Sequence, residues 1–217
     1  MNTELLEYLQ SYLTERRRAL FKKVLADRTR HFTVVTEDVY QLHNTSAVMR
    51  SCDVFGIQDL HVVEESLGKK LDREIAMGAQ KWVDIYRHSD VCECIASLRD
   101  SGYQIIATTP HDDSQLLADF DIRKKSAFFF GRETEGVSET VLNEADGYLK
   151  IPMFGFTESL NISVSAAIIL QDVVTRMKSS EVNWQLSEEE RWKLEMQWTR
   201  KSIKRVEEIE ARFRERN

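Results

Sequence analysis

The stretch Ala127-Phe128-Phe129-Phe130-Gly131-Arg132-Glu133-Thr134-Glu135-Gly136 carries the strongest fold signal in this 217-residue chain. Four consecutive apolar residues that end at a glycine are typical of a buried β-strand running into a loop. The loop concentrates glycine and polar side chains, which suits a backbone that must turn sharply or approach a ligand. Ser138 then has the side chain of a helix N-cap. The stretch therefore predicts a strand, a polar loop and a helix in succession.

Two further segments repeat this organisation. Asn44-Thr45-Ser46-Ala47, running on to Arg50, follows a predicted strand at 32–35, and Ser159-Leu160-Asn161-Ile162-Ser163 follows a predicted strand at 148–151. Apolar runs predict other strands at 60–63, 83–86 and 103–107, and helices at 44–55, 71–77, 90–100, 139–145 and 160–177. Strands that alternate with helices favour an α/β fold, with a parallel sheet flanked by helices.

Both ends of the chain differ from this alternation. Residues 3–26 are predicted to be helical with a break near Thr14, which can cap the second part. Ser187-Glu188-Glu189-Glu190 is a capping box, and it predicts a helix of about 43 Å running almost to Arg216. The apolar stripe of that helix is expected to cross a partner subunit or extend along a ligand. We therefore predict an N-terminal basic helical extension at 1–30, a central domain at 31–178 and a C-terminal helical extension at 179–217.

The composition is that of a globular protein, with 42% hydrophobic and 30% charged residues. No apolar run approaches the roughly 20 residues that span a bilayer, and the N-terminus lacks the pattern of a secretory signal. Three cysteines, Cys52, Cys92 and Cys94, cannot pair completely. Cys92-Glu93-Cys94 has no second cysteine pair to complete a zinc site. We therefore expect reduced thiols, no metal site, no membrane association and a cytoplasmic location.

Charge is distributed unevenly along the chain. The net charge is −6, yet residues 1–30 contain seven Lys or Arg against four Asp or Glu, and residues 176–217 contain eleven against nine. The densest basic patch comprises Arg16-Arg17-Arg18, Lys22-Lys23, Arg28 and Arg30. This asymmetry permits an RNA-binding surface on the terminal segments. A solvated helix face is the alternative interpretation.

Glycine usage limits how a nucleotide-like cofactor could be held. The chain has eight glycines and no GxG, so both the Rossmann fingerprint and the Walker loop are absent. A cofactor of this kind must therefore bind to other loops.

The three polar segments, in this order over residues 31–176, resemble the motifs of the SpoU branch of the SPOUT methyltransferases. Those enzymes transfer a methyl group from S-adenosylmethionine to a ribose 2'-hydroxyl of RNA. The resemblance implies a SPOUT-type parallel sheet with a C-terminal trefoil knot, and a homodimer whose active site lies at or near the subunit interface. It also implies a cofactor site made by Thr108, Gly131, Ile151, Met153 and Leu160. Arg132 occupies a variable position, where many relatives have asparagine or glutamine.

The same resemblance implies which residues act on the acceptor hydroxyl. Arg50 corresponds to an arginine thought to activate the hydroxyl with help from the substrate phosphate, and Asn44 to an asparagine that aligns it. Glu133, Ser159 and Asn161 match the remaining polar motif positions. An arginine stays protonated in water, so Arg50 could instead only orient phosphate and hydroxyl. Without the resemblance, Arg50 would be interpreted as a surface arginine paired with Asp53 or Glu64, and Asn44 as a helix cap.

The terminal segments indicate which class of RNA the resemblance implies as the substrate. A short basic segment in place of a large N-terminal domain, together with the C-terminal helical region, resembles the tRNA guanosine 2'-O-methyltransferases of this family. The implied substrate is a tRNA, modified at the D-loop guanosine in position 18. The implied RNA-binding residues are Arg16, Arg17, Arg18, Lys22 and Arg28. Methylation of ribosomal RNA and a non-catalytic RNA-binding role remain open as alternatives.

Overall fold

A computed structural model of the chain describes residues 2–39, 42–64, 78–110 and 114–216. The chain forms two compact units. One comprises Thr29–Trp184, which encompasses the predicted central domain. The other, called the terminal unit below, comprises Met1–Arg28 together with Gln185–Asn217.

The larger unit is built on a parallel sheet. Its strands are β1 Phe32–Glu37, β2 Asp59–Val63, β3 Asp84–His88, β4 Gln104–Thr108, β5 Gln115–Leu116, β6 Ser126–Phe130 and β7 Gly147–Lys150. Their order in the sheet is β3-β2-β1-β6-β4-β7-β5, and every pairing is parallel. The predicted α/β parallel sheet is confirmed. The two-residue strand β5 was not predicted, because it is too short to show a periodicity.

Helices cover both faces of this sheet, and other helices form the terminal unit. They are α1 Thr3–Gln10, α2 Glu15–Ala26, α3 Leu42–Phe55, α4 Val91–Asp100, α5 Glu139–Glu144, α6 Ile162–Lys178, α7 Glu188–Ser202 and α8 Val206–Arg216. The predicted helix at 71–77 lies outside the described residues. Asn44 lies two residues inside α3, so the interpretation of Asn44 as its N-cap is wrong.

Burial of the central strands on both faces explains their continuous apolar sequences. Val34 belongs to the core cluster that contains residues of α3 and α6, whereas its neighbour Val35 belongs to the cluster that contains residues of α4 and α5. Successive side chains of a strand point to opposite faces, so each of these strands needs apolar residues at every position. The parallel arrangement places the loops after β1, β4, β6 and β7 at the same edge of the sheet.

The terminal unit is helical, and its helices pack on one another. Thr14 caps α2 through its hydroxyl, and Ser187 and Glu190 form the predicted capping box of α7. Leu6 and Leu9 of α1 share an apolar cluster with Met196 of α7 and Ile209 of α8; partly buried residues around it are Leu5, Tyr8, Trp192, Ile203 and Val206.

The single helix predicted from 188 almost to 216 is wrong. The chain leaves α7 at Ser202 and turns through Arg205, whose φ of 54° is incompatible with a continuous right-handed helix. The turn lets α8 fold back onto α1, and the apolar stripe contributes Met196 and Ile209 to the cluster around Leu6 and Leu9. No helix in the described part of the chain is long and apolar enough to cross a bilayer. The trefoil knot remains a prediction.

Candidate active site

A cavity of about 400 Å³ lies at the carboxyl edge of the sheet, beyond β4, β6 and β7. Parallel α/β sheets commonly bind ligands at this edge, and the volume is in the range of small-molecule sites. All five residues predicted to bind the cofactor line the cavity: Thr108, Gly131, Ile151, Met153 and Leu160. The structure therefore brings into one cavity residues that are up to 52 positions apart in the sequence, from Thr108 to Leu160.

The loop from Gly131 to Gly136 forms one side of this cavity. Its ends are tied by two backbone hydrogen bonds, in which Arg132 N donates to Gly136 O at 2.8 Å and Gly136 N to Arg132 O at 2.9 Å. A Cβ atom at position 131 would lie 2.0 Å from Gly136 O, and Gly136 has a φ of 74°. Both positions therefore require glycine, one for close approach and the other for a left-handed turn.

Three polar side chains from the three motif segments converge next to this loop. Asn44 Nδ2 of α3 donates to Glu133 Oε1 at 2.6 Å. Asn161 Nδ2 donates to the same oxygen at 3.3 Å and to Asn44 Oδ1 at 3.2 Å. Asn161 also caps α6, because its Oδ1 accepts from Ser163 N at 2.9 Å. Ser159 is exposed and lines the cavity.

Arg50 does not join this group. It is exposed on α3 and is absent from the described lining of the cavity. Six residues correspond to about 240° of rotation around a helix, so Arg50 faces a different direction from Asn44. Glu64, one of its two suggested ion-pair partners, instead pairs with Arg87 at 3.4 Å. The catalytic role of Arg50 stays a prediction.

Arg132 contributes more to the site than sequence reasoning indicated. Its Nη2 forms an ion pair with Asp38 Oδ2 at 2.7 Å, and its Nη1 binds Glu135. Asp38 is buried directly after β1 and has a φ of 46°. Arg132 thus ties the glycine loop to the segment that leads into α3. The sequence signal for this ion pair was Asp38, the acidic residue directly after β1. It indicates a partner for Arg132 only once β1 and β6 are known to be neighbouring strands.

The predicted RNA-binding residues fall into two groups. Arg16, Arg17, Arg18 and Lys22 are exposed on α2. Arg28 is only 1% exposed, and its guanidinium lies over the ring of Trp198, 5.4 Å from the centroid. The prediction that Arg28 contacts RNA is therefore wrong for this structure, because a buried guanidinium stacked on an aromatic ring cannot reach a phosphate.

Comparison with known proteins gives concordant results. The model of the SpoU rRNA Methylase family matches residues 31–171. A tRNA (guanosine(18)-2'-O)-methyltransferase of Borreliella burgdorferi is 36% identical over 202 residues, which cover 93% of this chain and 93% of that protein. The protein of that name from Thermus thermophilus is 40% identical over 157 residues, covering 72% of this chain and 81% of the relative.

A solved structure extends the similarity to the fold. The crystal structure of the A. aeolicus TrmH/SpoU tRNA modifying enzyme has a TM-score of 0.78 and 31% sequence identity, and the match covers 88% of this chain and 98% of that one. The family model spans the sheet, the cavity and all three polar segments, and the relatives match over most of both chains. The chain therefore belongs to the SpoU methylase family.

Proposed function

We propose that this protein transfers a methyl group from S-adenosylmethionine to the ribose 2'-hydroxyl of guanosine-18 in the D-loop of tRNA. The names of the two similar proteins support this substrate. The observation that carries the proposal is the convergence of Asn44, Glu133 and Asn161 beside a cavity at the carboxyl edge of the sheet. A protein that had kept the fold only to bind RNA would have no need to hold these three groups together.

The cavity fits the cofactor in size and in charge. Its lining includes the carboxylates of Glu133, Glu135 and Glu158 and the cations Arg132 and Lys150, an excess of negative charge that suits a sulfonium ligand. Thr108 Oγ1 donates to Phe129 O at 2.7 Å, which fixes the ends of β4 and β6 where the cavity opens. S-adenosylmethionine supplies an activated methyl group on a positively charged sulfur. We assign Thr108, Gly131, Ile151, Met153 and Leu160 to its binding.

The chain's own polar groups have to place the acceptor. A ribose 2'-hydroxyl is a weak nucleophile, so its lone pair must be aligned with the methyl group. We assign this alignment to Arg50, whose planar guanidinium can bind a substrate phosphate and the hydroxyl together. Asn44, Glu133 and Asn161 hold α3, the glycine loop and the start of α6 in fixed relation, and the exposed hydroxyl of Ser159 is available to the substrate.

The basic face of α2 gives the terminal unit a means of holding tRNA. Arg16, Arg17, Arg18 and Lys22 are exposed there, and clustered cations of this kind neutralise phosphates and release counterions. We assign these four residues to contacts with the RNA backbone. We propose the cytoplasm as the location, because a reducing compartment suits the reduced thiols of Cys52, Cys92 and Cys94.

An exposed apolar surface beside the cavity supports a homodimer. Phe154 and Phe156 are almost fully exposed, at 96% and 107%, and Val164 and Ile168 are partly exposed on α6. The adjacent helix α3, which packs on α6, exposes Val54 and Arg50. Large exposed apolar side chains that lie close together are typical of protein interfaces. We propose that a second copy covers it, and that Arg50 of the partner subunit completes each cavity.

A mixing experiment tests the shared site. Arg50→Ala and the cavity variant Leu160→Glu are each expected to be inactive as homodimers. After subunit exchange, a mixed dimer has one intact site, so activity should return to roughly a quarter of the wild-type value. If the mixture stays inactive although native mass spectrometry shows mixed dimers, each site is contained in one chain. A fully active monomer by light scattering would exclude the dimer altogether.

Single-turnover methylation tests the function itself. The enzyme, in excess with saturating S-adenosylmethionine, should methylate an unmodified tRNA transcript stoichiometrically at guanosine-18. A matched transcript with 2'-deoxyguanosine at that position should accept nothing. Transfer to ribosomal RNA alone would contradict the tRNA assignment. Cofactor binding by calorimetry without transfer to any RNA would contradict the assignment as an enzyme.

A further inference from the structure

Two histidines and a cysteine come together away from the cavity. His61 lies on β2, His88 ends β3 and Cys94 lies in α4. His61 Nδ1 is 3.0 Å from His88 Nε2. One ring nitrogen of each histidine and Cys94 Sγ all lie within 4.8 Å of one another. Cys94 is fully buried, His61 is 7% exposed and His88 is half-buried. The three groups thus form a cluster in which only His88 is partly exposed to solvent.

Imidazole nitrogen and thiolate sulfur are the ligands that zinc prefers. With Zn–N bonds of about 2.0 Å and Zn–S bonds of about 2.3 Å, tetrahedral ligand atoms lie about 3.3–3.6 Å apart. The nitrogen pair is already near that separation, and the sulfur reaches it with a shift of about 1 Å. When no ion is bound, a proton must lie between the two nitrogens, and a metal ion can replace it.

Burial disfavours a positive charge at this cluster, whereas the carboxylates of Glu37 and Glu93 favour one. Burial, followed by the charges of Glu37 and Glu93, raises the pKa of the Cys94 thiol to about 12. Burial lowers the pKa of His88, and the charge of Glu93 opposes this shift. Anionic groups that oppose a bare thiolate would stabilise a bound divalent ion at the same place. Tyr86 stacks on the ring of His61 with a centroid distance of 4.8 Å, which fixes the orientation of one ligand.

We propose that His61 Nδ1, His88 Nε2 and Cys94 Sγ bind one zinc ion, with a water molecule in the fourth position. Binding displaces the thiol proton to solvent, because the thiolate is the ligand form. The ligands come from β2, the edge strand β3 and α4, so the ion would clip the edge strand to the elements beside it. None of the three ligands lines the cavity described above, so the ion is independent of the proposed methyl transfer.

This inference departs from the expectation of no metal site. In the sequence, Cys92-Glu93-Cys94 has no second cysteine pair that would complete a zinc site. In the structure Cys92 is exposed and Cys94 is buried, so the two cysteines do not act together. The other ligands come from two parallel strands in register, where Val63 pairs with His88 and His61 with Tyr86. A set assembled by strand pairing has no sequence spacing that identifies it.

Titration of the reduced, tag-free protein with Co²⁺ tests the proposal, because cobalt reports both coordination geometry and thiolate bonding. We expect one equivalent to produce visible bands of a tetrahedral site and a near-ultraviolet thiolate charge-transfer band, and Zn²⁺ to abolish both. Cys92→Ser is the matched control and should keep both bands. Cys94→Ser should lose the charge-transfer band. At a hundredfold excess over Kd, Zn²⁺ should raise the Tm of the wild type by about 5 °C or more.

A second variant keeps the test decisive if Cys94→Ser does not fold. His88 is half-buried at a strand end, so His88→Gln should fold and weaken Co²⁺ binding at least tenfold. A wild-type protein that gives no charge-transfer band contains only a hydrogen-bonded histidine pair above a buried thiol, and this result would overturn the proposal. An unchanged band in Cys94→Ser, or unchanged affinity in His88→Gln, would overturn it equally.

Discussion

The ion pair between Arg132 and Asp38 is expected to hold the glycine loop in the shape that the cavity requires. The two groups are 2.7 Å apart, and their side chains are 25% and 5% exposed. A charge-assisted hydrogen bond to a buried group contributes about 1.5–3 kcal/mol, and the partial exposure of the arginine places this one near the lower end. Arg132→Ala should therefore weaken S-adenosylmethionine binding by about 1.5 kcal/mol, or roughly tenfold.

A double-mutant cycle separates this pair from general damage. Calorimetry on Arg132→Ala, Asp38→Ala and the double variant should give a coupling energy of about 1–2 kcal/mol in cofactor binding. Arg123→Ala is the matched control, because Arg123 pairs with Asp121 on the surface and is 80% exposed. It should change nothing measurable. A coupling energy below about 0.3 kcal/mol, within the usual error of additivity, would refute the idea that this pair shapes the loop.

The remaining predictions concern hydroxyl alignment, RNA affinity and pH. Arg50→Ala should slow single-turnover methylation about a hundredfold while cofactor affinity and Tm stay unchanged. Arg50→Lys should not restore the rate, because lysine lacks the planar guanidinium. A near-normal rate in Arg50→Ala would remove Arg50 from the mechanism. Replacing Arg16, Arg17 and Arg18 by Ala should weaken tRNA binding and reduce its salt slope by up to about 3 in filter-binding assays, and an unchanged slope would identify a merely solvated face. Burial lowers the pKa of His31, so the folded chain binds this proton less tightly than the unfolded one. The stability due to neutral His31 is present above about pH 6.5 and is lost as the pH falls below that value. Urea unfolding should show this loss of stability, and the loss should be smaller in His31→Gln.

Local sequence was sufficient to predict the strands of the sheet other than β5. The run 127–130 is apolar at every position, and it became a strand buried on both faces. The end of this strand at Gly131 was predicted from the apolar run, whereas the place of Gly131 in the cofactor site was implied by the family resemblance. Its backbone contact with Gly136 shows why no other residue fits. These features are set by neighbours along the chain, which is the range over which a hydrophobic period or a glycine gives information.

Features that depend on tertiary contacts were not predictable in this way. Arg28 belongs to a basic run, but its stacking on Trp198 depends on a helix 170 residues further along the chain. The break between α7 and α8 lies in a sequence with good helical character. The left-handed conformation at Arg205 accompanies the packing of Ile209 with Leu6 and Leu9. In both cases burial against a distant element outweighed a local preference.

Asn44 shows how the two kinds of information combine. Helix propensities favour asparagine just before a helix, because an asparagine inside a helix costs about 0.5 kcal/mol of stability relative to alanine. Asn44 is nevertheless inside α3 and only 2% exposed, so its amide also had to be desolvated. Those costs are offset by hydrogen bonds to Glu133 and Asn161, which lie 89 and 117 residues away. Asn44 is thus unfavourable for its own helix, and its hydrogen bonds hold the three polar segments of the site together. For that reason the order of the polar segments predicted its position in the site, although helix rules gave it the wrong role.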